Sequence, residues 1–324
     1  MYSREMMFGL AHAHPQQRFG FYYRPHRFFK SLSDQLPANA SRRLLVRAPR
    51  TDLFHALNQR VDAPARRTVS TFHDLFVMSG DYSAPDFRAR FTQQARQAAD
   101  RSDAIIAVSR FTASQVEQLL DVDPARIHVV PHGVHMPAPS PAAARENLVL
   151  FVGVIQRRKN VARLVKAFEG LPEGWRLALA GASQGYGAAE ELRAVEESSR
   201  RADIDLLGHL STEQLTALYA RARIFAFPSL DEGFGMPVLE AMAHGVPVIA
   251  SRTSAMPEVA GDAALLVDPL NIDELAYALS RLATDPALRE ALIAQGRSRA
   301  LRFTWESAVA QTWAVYEKVM AASL

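Results

Sequence analysis

Ser229-Leu230-Asp231-Glu232-Gly233-Phe234-Gly235-Met236-Pro237-Val238-Leu239-Glu240-Ala241-Met242-Ala243-His244-Gly245-Val246-Pro247-Val248-Ile249-Ala250 decides the fold. A short apolar strand at 224–227 feeds it, and two glycines, Gly233 and Gly235, precede the helix that follows. Glycine takes backbone shapes barred to other residues, which suits a sharp strand-to-helix turn. Pro237 suits the first helical turn, where its missing N–H costs nothing. Gly245 and Pro247 stop the helix and release the chain into a second strand at 246–250. Two acids bracket the turn, Glu232 in the loop and Glu240 within the helix, with seven residues between them. N–H groups exposed at a helix start suit an anion such as a diphosphate. A carboxylate on either side can accept hydrogen bonds from sugar or ribose hydroxyls. Taken alone, the acid pair also fits a short core helix with a solvated Glu232 and a structural Glu240.

On both sides of this turn, strands alternate with helices. Strands are expected at 148–154, 176–180, 205–207, 224–227, 246–250 and 264–267, with helices at 161–169, 188–201 and 212–222 between them. Earlier come a helix at 2–13 and strand-like runs at 18–23, 44–48, 53–57 and 68–72. A helix at 87–101, a strand at 104–108, a helix at 111–120 capped by Ser109, and a strand at 127–130 follow. Such alternation means right-handed crossovers on parallel sheets, the α/β class. The Pro-rich, aperiodic stretch 137–145 reads as a linker. We therefore expect domains at 1–136 and 146–303, closed by a helix at 304–324 that Thr304 caps. A doubly wound domain starts with a strand and a glycine-bearing loop. This chain opens on a helix, so the first strand and Gly-rich loop of the N-terminal domain are expected to be lacking.

Composition bounds the function. A chain of 324 residues, 48% hydrophobic and 22% charged, holds two globular domains. The absence of cysteine excludes disulfides and thiolate metal sites and fits a reducing compartment, so a cytoplasmic location is expected. No signal peptide is evident, and no apolar run approaches the roughly 20 residues of a membrane span. The net charge of +3 hides an asymmetry: residues 1–70 carry 12 Lys/Arg against 4 Asp/Glu. That basic segment suits an anionic substrate or the inner face of a membrane, or is simply a solvated basic face. Nucleic acid is not expected as a partner, because no basic stripe with stacking aromatics accompanies a binding module.

Two further stretches carry chemistry. Gly153-Val154-Ile155-Gln156-Arg157-Arg158-Lys159-Asn160 follows a strand and opens a helix, and adjacent cations in such a loop suit a pair of phosphates. His73-Asp74 ends a strand, at the sheet edge where α/β folds place ligands. No D-x-D motif follows a strand and the histidines lack ligand spacing, so no metal or other cofactor is expected.

From about Arg66 onward the chain resembles the retaining glycosyltransferases of family 4, the glycogen-synthase-like group. The string EGFGMPVLEAMAHGVPVIAS is similar to that family's E-x7-E signature, and Gly153 to Asn160 to its G-x-I-x-x-R-K-N element. The resemblance implies two Rossmann-like doubly wound parallel-sheet domains facing across a cleft (the GT-B architecture), with the C-terminal helix crossing back to the N-terminal domain. It implies that Arg158 and Lys159, with Gly153, clamp the diphosphate of a nucleotide-sugar donor. Glu240 would take the ribose hydroxyls, and Glu232 those of the transferred sugar. Backbone at Gly233, Phe234, Gly235 and Met236 would hold sugar or phosphate, and His209 and Leu210 would lie beside the base. His73 would touch the transferred sugar or acceptor, with Asp74 and Ser109 as further cleft contacts. His73, Glu232, Arg158 and Lys159 are thus the candidate catalytic residues. Arg157 stands where relatives often have proline and is given no role. Pro131-His132-Gly133-Val134 resembles the interdomain crossover.

The implied activity is transfer of a hexose, first of all mannose from GDP-mannose, to a glycan or lipid-linked acceptor. Three other readings compete. A catalytically weak binding or partner subunit follows from the incomplete N-terminal domain. A glycosidase using Glu232 and Glu240 leaves the cationic loop without purpose. A nucleotide-sugar epimerase would need no acceptor.

Overall fold

The computed structural model describes residues 2–46, 50–61, 65–138 and 145–322. The chain divides into two compact units: Met1–Met78, Asp86–Gly133 and Phe303–Leu324 form one, Ser79–Pro85 and Val134–Arg302 the other.

In the first unit, α1 (Tyr2–Ala13) precedes β1 (Phe19–Tyr23), a single helical turn α2 (Pro25–Phe28) and β2 (Ala40–Leu44). Strands β1 and β2 pair in parallel, Phe19 opposite Ala40 and Tyr23 opposite Leu44. The apolar run at 44–48 suggested the strand there, but the structure starts it four residues earlier. Asn39 sets that register: its side-chain amide donates to the carbonyls of Ala11, His14 and Gln17 at 2.9, 3.1 and 3.0 Å. Strands β3 (Phe54–Ala56), β4 (Thr68–Phe72), β5 (Ala104–Ala107) and β6 (Ile127–Val129) form a separate parallel sheet in that order. The turn α3 (Phe76–Ser79) and helices α4 (Pro85–Arg101) and α5 (Arg110–Leu120) connect them. Phe72, Leu75, Ile105 and Val116 are fully buried in the core that results.

The second unit is a six-stranded parallel sheet. Its strands are β7 (Leu148–Val152), β8 (Arg176–Ala180), β9 (Ile204–Gly208), β10 (Ile224–Phe227), β11 (Val248–Ser251) and β12 (Ala264–Val267). They lie in the order β12-β11-β10-β7-β8-β9, so the winding reverses between β7 and β10. This is the strand order of a dinucleotide-binding fold, which takes its ligand at the reversal point. Both central strands are uninterrupted apolar runs because helices cover both faces. Those helices are α6 (Val161–Phe168), α7 (Ala188–Glu196), α8 (Thr212–Arg221), α9 (Met236–Ala243), α10 (Met256–Ala260), α11 (Ile272–Thr284) and α12 (Pro286–Ala300). The helix expected over 188–201 ends at Glu196, and a further short turn leads into β9. Buried Glu191 on α7 accepts from the Ala162 N–H at 2.7 Å, capping the start of α6 from outside. Helix α13 (Trp305–Ala321) then returns the chain to the first unit, with Thr304 capping it as expected.

The two compact units part from the expected domain limits in two places. The first unit ends at Gly133 rather than 136, because Gly133 is pressed against the start of α13: a Cβ there would lie 2.2 Å from the Trp305 nitrogen. Residues 79–85, expected in the N-terminal domain, group with the second unit. Ser79 Oγ donates to Asp231 Oδ2 and Arg157 to Asp81, each at 2.7 Å. Most of the expected linker, 139–144, lies outside the described residues.

Candidate active site

The loops leaving β7 and β10 emerge side by side at the reversal point of the second sheet. Between them they bring Arg158, Lys159 and Glu232 into one buried cluster. A single turn at Arg157–Lys159 aims both cations across the gap, and Asn160 follows in the left-handed conformation. Asn160 then acts as a staple. Its amide donates to the Pro228 and Pro269 carbonyls at 2.9 and 2.6 Å, fixing one loop against its neighbours. Leu230 N–H closes the bridge by donating to the Arg158 carbonyl at 2.7 Å.

Glu232 Oε1 accepts from Arg158 Nη1 at 2.7 Å and pairs with Lys159 Nζ. Arg158 also donates to the Asp231 carbonyl at 2.7 Å, and Lys159 sits 4.5 Å above the Phe227 ring. Burial alone would raise the Glu232 carboxyl, but Lys159 and Arg158 outweigh it and hold it below the ordinary carboxylate range. Two cations meet Glu232 here with Asp231 buried beside them, and fixed donors of this kind in a low-dielectric pocket suit a multiply charged anion.

The turn beyond Glu232 takes the expected shape. Gly235 stands at φ +100° as the cap of α9, and a Cβ there would lie 2.2 Å from Met256 Cε. At the other end, Gly245 N–H donates to the Met242 carbonyl and Val246 N–H to that of Ala241. That is the paired bonding of a glycine-terminated helix, with Gly245 at φ +67°. Glu240 does not join the Arg158–Lys159–Glu232 cluster. Half-buried on α9, it accepts a 3.1 Å hydrogen bond from the hydroxyl of fully buried Tyr219. Burial raises the Glu240 carboxyl, and the Tyr219 hydrogen bond only partly opposes this. Gly208 closes β9, with His209 exposed and Leu210 half-buried beyond it.

In the first unit, His73 and Asp74 follow β4 directly at the carboxyl edge of its sheet, both half-buried. Ser109 is fully buried and caps α5, accepting from Thr112 N–H at 2.9 Å. Among the described residues, no group of three or more His, Asp or Glu could hold a metal ion.

Residues 136–299 match the family described as Glycosyl transferases group 1, and residues 8–136 match Glycosyltransferase Family 4. The chain belongs to the group 1, family 4 glycosyltransferases. The match reaches well before Arg66, where the motifs of the sequence begin. The chain is 32% identical over 282 residues to an O-antigen chain mannosyltransferase B of Escherichia coli, covering 82% of this chain and 74% of that one. It is 35% identical over 239 residues to an MMP alpha-(1->4)-mannosyltransferase of Mycolicibacterium hassiacum, covering 71% of this chain and 58% of that one. A sucrose-phosphate synthase structure from Thermosynechococcus elongatus superposes with a TM-score of 0.78 at 23% identity, over 99% of this chain and 93% of that one. The fold is accordingly the two-Rossmann GT-B architecture of these enzymes.

Several residues that shape this candidate site are absent from a reading of motifs. Asn160 belongs to the R-K-N string but acts as a staple between loops. Tyr219 meets Glu240 across 21 positions, and Ser79 meets Asp231 across 152. Arg157, given no role, pairs with Asp81 and Glu190 at 2.7 and 3.0 Å. The signal for Asn160 was its helix-entry position; for the others, the sequence holds none.

Proposed function

We propose that this glycosyltransferase moves a hexose, mannose from GDP-mannose first of all, to a glycan or lipid-linked acceptor with retention at the anomeric carbon. One observation carries the reading: Arg158 and Lys159 from one loop and Glu232 from the next converge where the second sheet reverses. Departure of a nucleoside diphosphate builds negative charge on the leaving oxygen. Fixed cations aimed there favour the transition state over the ground state. In this scheme the bond from the anomeric carbon to the phosphate oxygen breaks and its electron pair leaves with the diphosphate. The acceptor oxygen bonds to that carbon from the same face, and its proton passes to the departing phosphate. Glu232 would bind hydroxyls of the transferred sugar, Glu240 those of the ribose, and His73 the sugar or acceptor. The start of α9 and residues 209–210 would hold phosphate and base.

Mannose is favoured by the names of the two mannosyltransferase relatives. Arg158 and Lys159 take the charge-neutralising role a metal has elsewhere, so transfer should persist in chelator. The basic segment at 1–70 supports peripheral association with an anionic membrane at the cytoplasmic face; among the described residues, no helix is long and apolar enough to cross one. The test is a panel of nucleoside diphosphates scored by thermal stabilisation, since a ligand bound to the folded state raises its apparent stability. Product analysis with the preferred nucleotide sugar follows. A GDP-selective shift and an α-mannoside product support the reading; no shift with any diphosphate refutes it.

A further inference from the structure

Behind His73, the first unit holds a chain of buried rings and hydroxyls contributed by five separate segments. His73 Nε2 lies 3.0 Å from the Leu57 carbonyl oxygen. A carbonyl can only accept, so Nε2 carries the proton. Burial lowers the His73 pKa more than the Leu57 carbonyl raises it, and the ring is neutral. Its Nδ1 is therefore bare and must receive. The atom opposite, 3.3 Å away, is Nε2 of His132, whose burial also keeps it neutral. His132 must accordingly carry its own proton on Nε2 and donate it to His73.

The surrounding rings fix this arrangement in orientation. His73 and His132 stack with centroids 5.3 Å apart and 26° between planes. Tyr2 of α1 stands edge-on to His73 at 4.6 Å and tilted against His132 at 4.8 Å. The Tyr2 hydroxyl is tied to Thr71 Oγ1 at 2.9 Å, and that oxygen meets His55 Nε2 at 2.7 Å. On its other side, His55 Nδ1 meets the Tyr316 hydroxyl of α13 at 2.6 Å. Burial drives His55 down to a pKa of about 3, so it too is neutral. A half-turn of the His73 ring would replace both bonded nitrogens with carbon and forfeit both hydrogen bonds.

We propose that His132 is a positioning residue whose Nε2–H locks His73 as the neutral Nε2–H tautomer, so that His73 orients substrate as a fixed ring and takes no proton from the acceptor. The proposal rests on the reading that His73 lies against the transferred sugar or acceptor. It deepens that reading: with both ring nitrogens engaged, the acceptor proton has the departing diphosphate as its destination.

The test combines nitrogen-15 imidazole NMR of the whole chain with kinetics of three variants. Wild type should show His73 neutral and protonated at Nε2. His132→Leu, which removes the donor, should lose that single tautomer. Its turnover should fall about tenfold with the donor KM unchanged, the scale of one lost hydrogen bond. His132→Gln keeps an amide N–H near the Nε2 position and should recover both the tautomer and most of the turnover. His73 found protonated at Nδ1 in wild type overturns the proposal, and that measurement needs no variant to fold. So does a His132→Leu protein with an unchanged His73 tautomer. Undiminished turnover in His73→Ala overturns instead the reading of His73 as a substrate contact.

Discussion

The two units handle polarity in opposite ways. In the second, two cations and a carboxylate are buried together, and their charges partly cancel. In the first, three histidines pack as neutral rings, each hydrogen-bonded to a carbonyl, a hydroxyl or another ring. A buried ion cluster is costly unless every charge is paired; any surplus would suit the anion proposed to bind there. A buried neutral network has no such surplus; it fixes geometry instead.

The sharpest way to break this contrast is Lys159→Ala. It leaves buried Glu232 with Arg158 and removes one of the two cations of the cluster. Turnover should fall on the order of 10²–10³-fold, and stabilisation by nucleoside diphosphates should largely vanish. Far-UV circular dichroism and the thermal shift with diphosphate check both halves. Persistence of the shift would mean that the anion binds elsewhere.

Glu232→Gln separates the two roles of the cluster. Neutral glutamine releases the cations, so an unglycosylated nucleoside diphosphate should bind at least as tightly as to wild type. Transfer should nonetheless drop about 10²-fold, because the charge-assisted hydrogen bonds proposed to the sugar hydroxyls are lost. Calorimetric titration beside steady-state kinetics would show the split. A parallel loss of both would place Glu232 in folding alone.

Tyr219→Phe is a milder probe. It removes one hydrogen bond to Glu240 and should raise the donor KM about fivefold, with turnover nearly unchanged. Acid titration gives the smallest effect. The folded-state pKa of Glu232 is depressed, so its ion pairs contribute stability that is complete above the unfolded value near 4.5 and is lost as pH falls through the lower folded value. Glu232→Gln should therefore flatten the fall of melting temperature below about pH 4.5, as measured by scanning calorimetry.

How much of this was written in the sequence follows from range. The turn at Glu232–Glu240 was legible because each device is local: a glycine forced to positive φ, a proline in the first helical turn, a glycine that ends the helix. The reciprocal cap of Ser211 and Gln214 is equally local, and both halves form at 2.9 and 3.2 Å. Strand β2 lies ahead of the apolar run because its register is set by Asn39 gripping the end of α1, while Leu44 and Val46 stay exposed; 47 and 48 lie outside the described residues. The tautomer chain was illegible for the same reason. His73 and His132 are 59 positions apart, and nothing in either neighbourhood signals the other.

Glu191 has a consequence for where a diphosphate can settle. Of the two helices that leave the central strands, α6 begins with its first turn already plugged by that internal carboxylate, whereas α9 begins on a glycine that contributes no side chain. The protein has blocked one of two near-equivalent dipoles with its own anion, so the diphosphate proposed to bind here would be directed to the other.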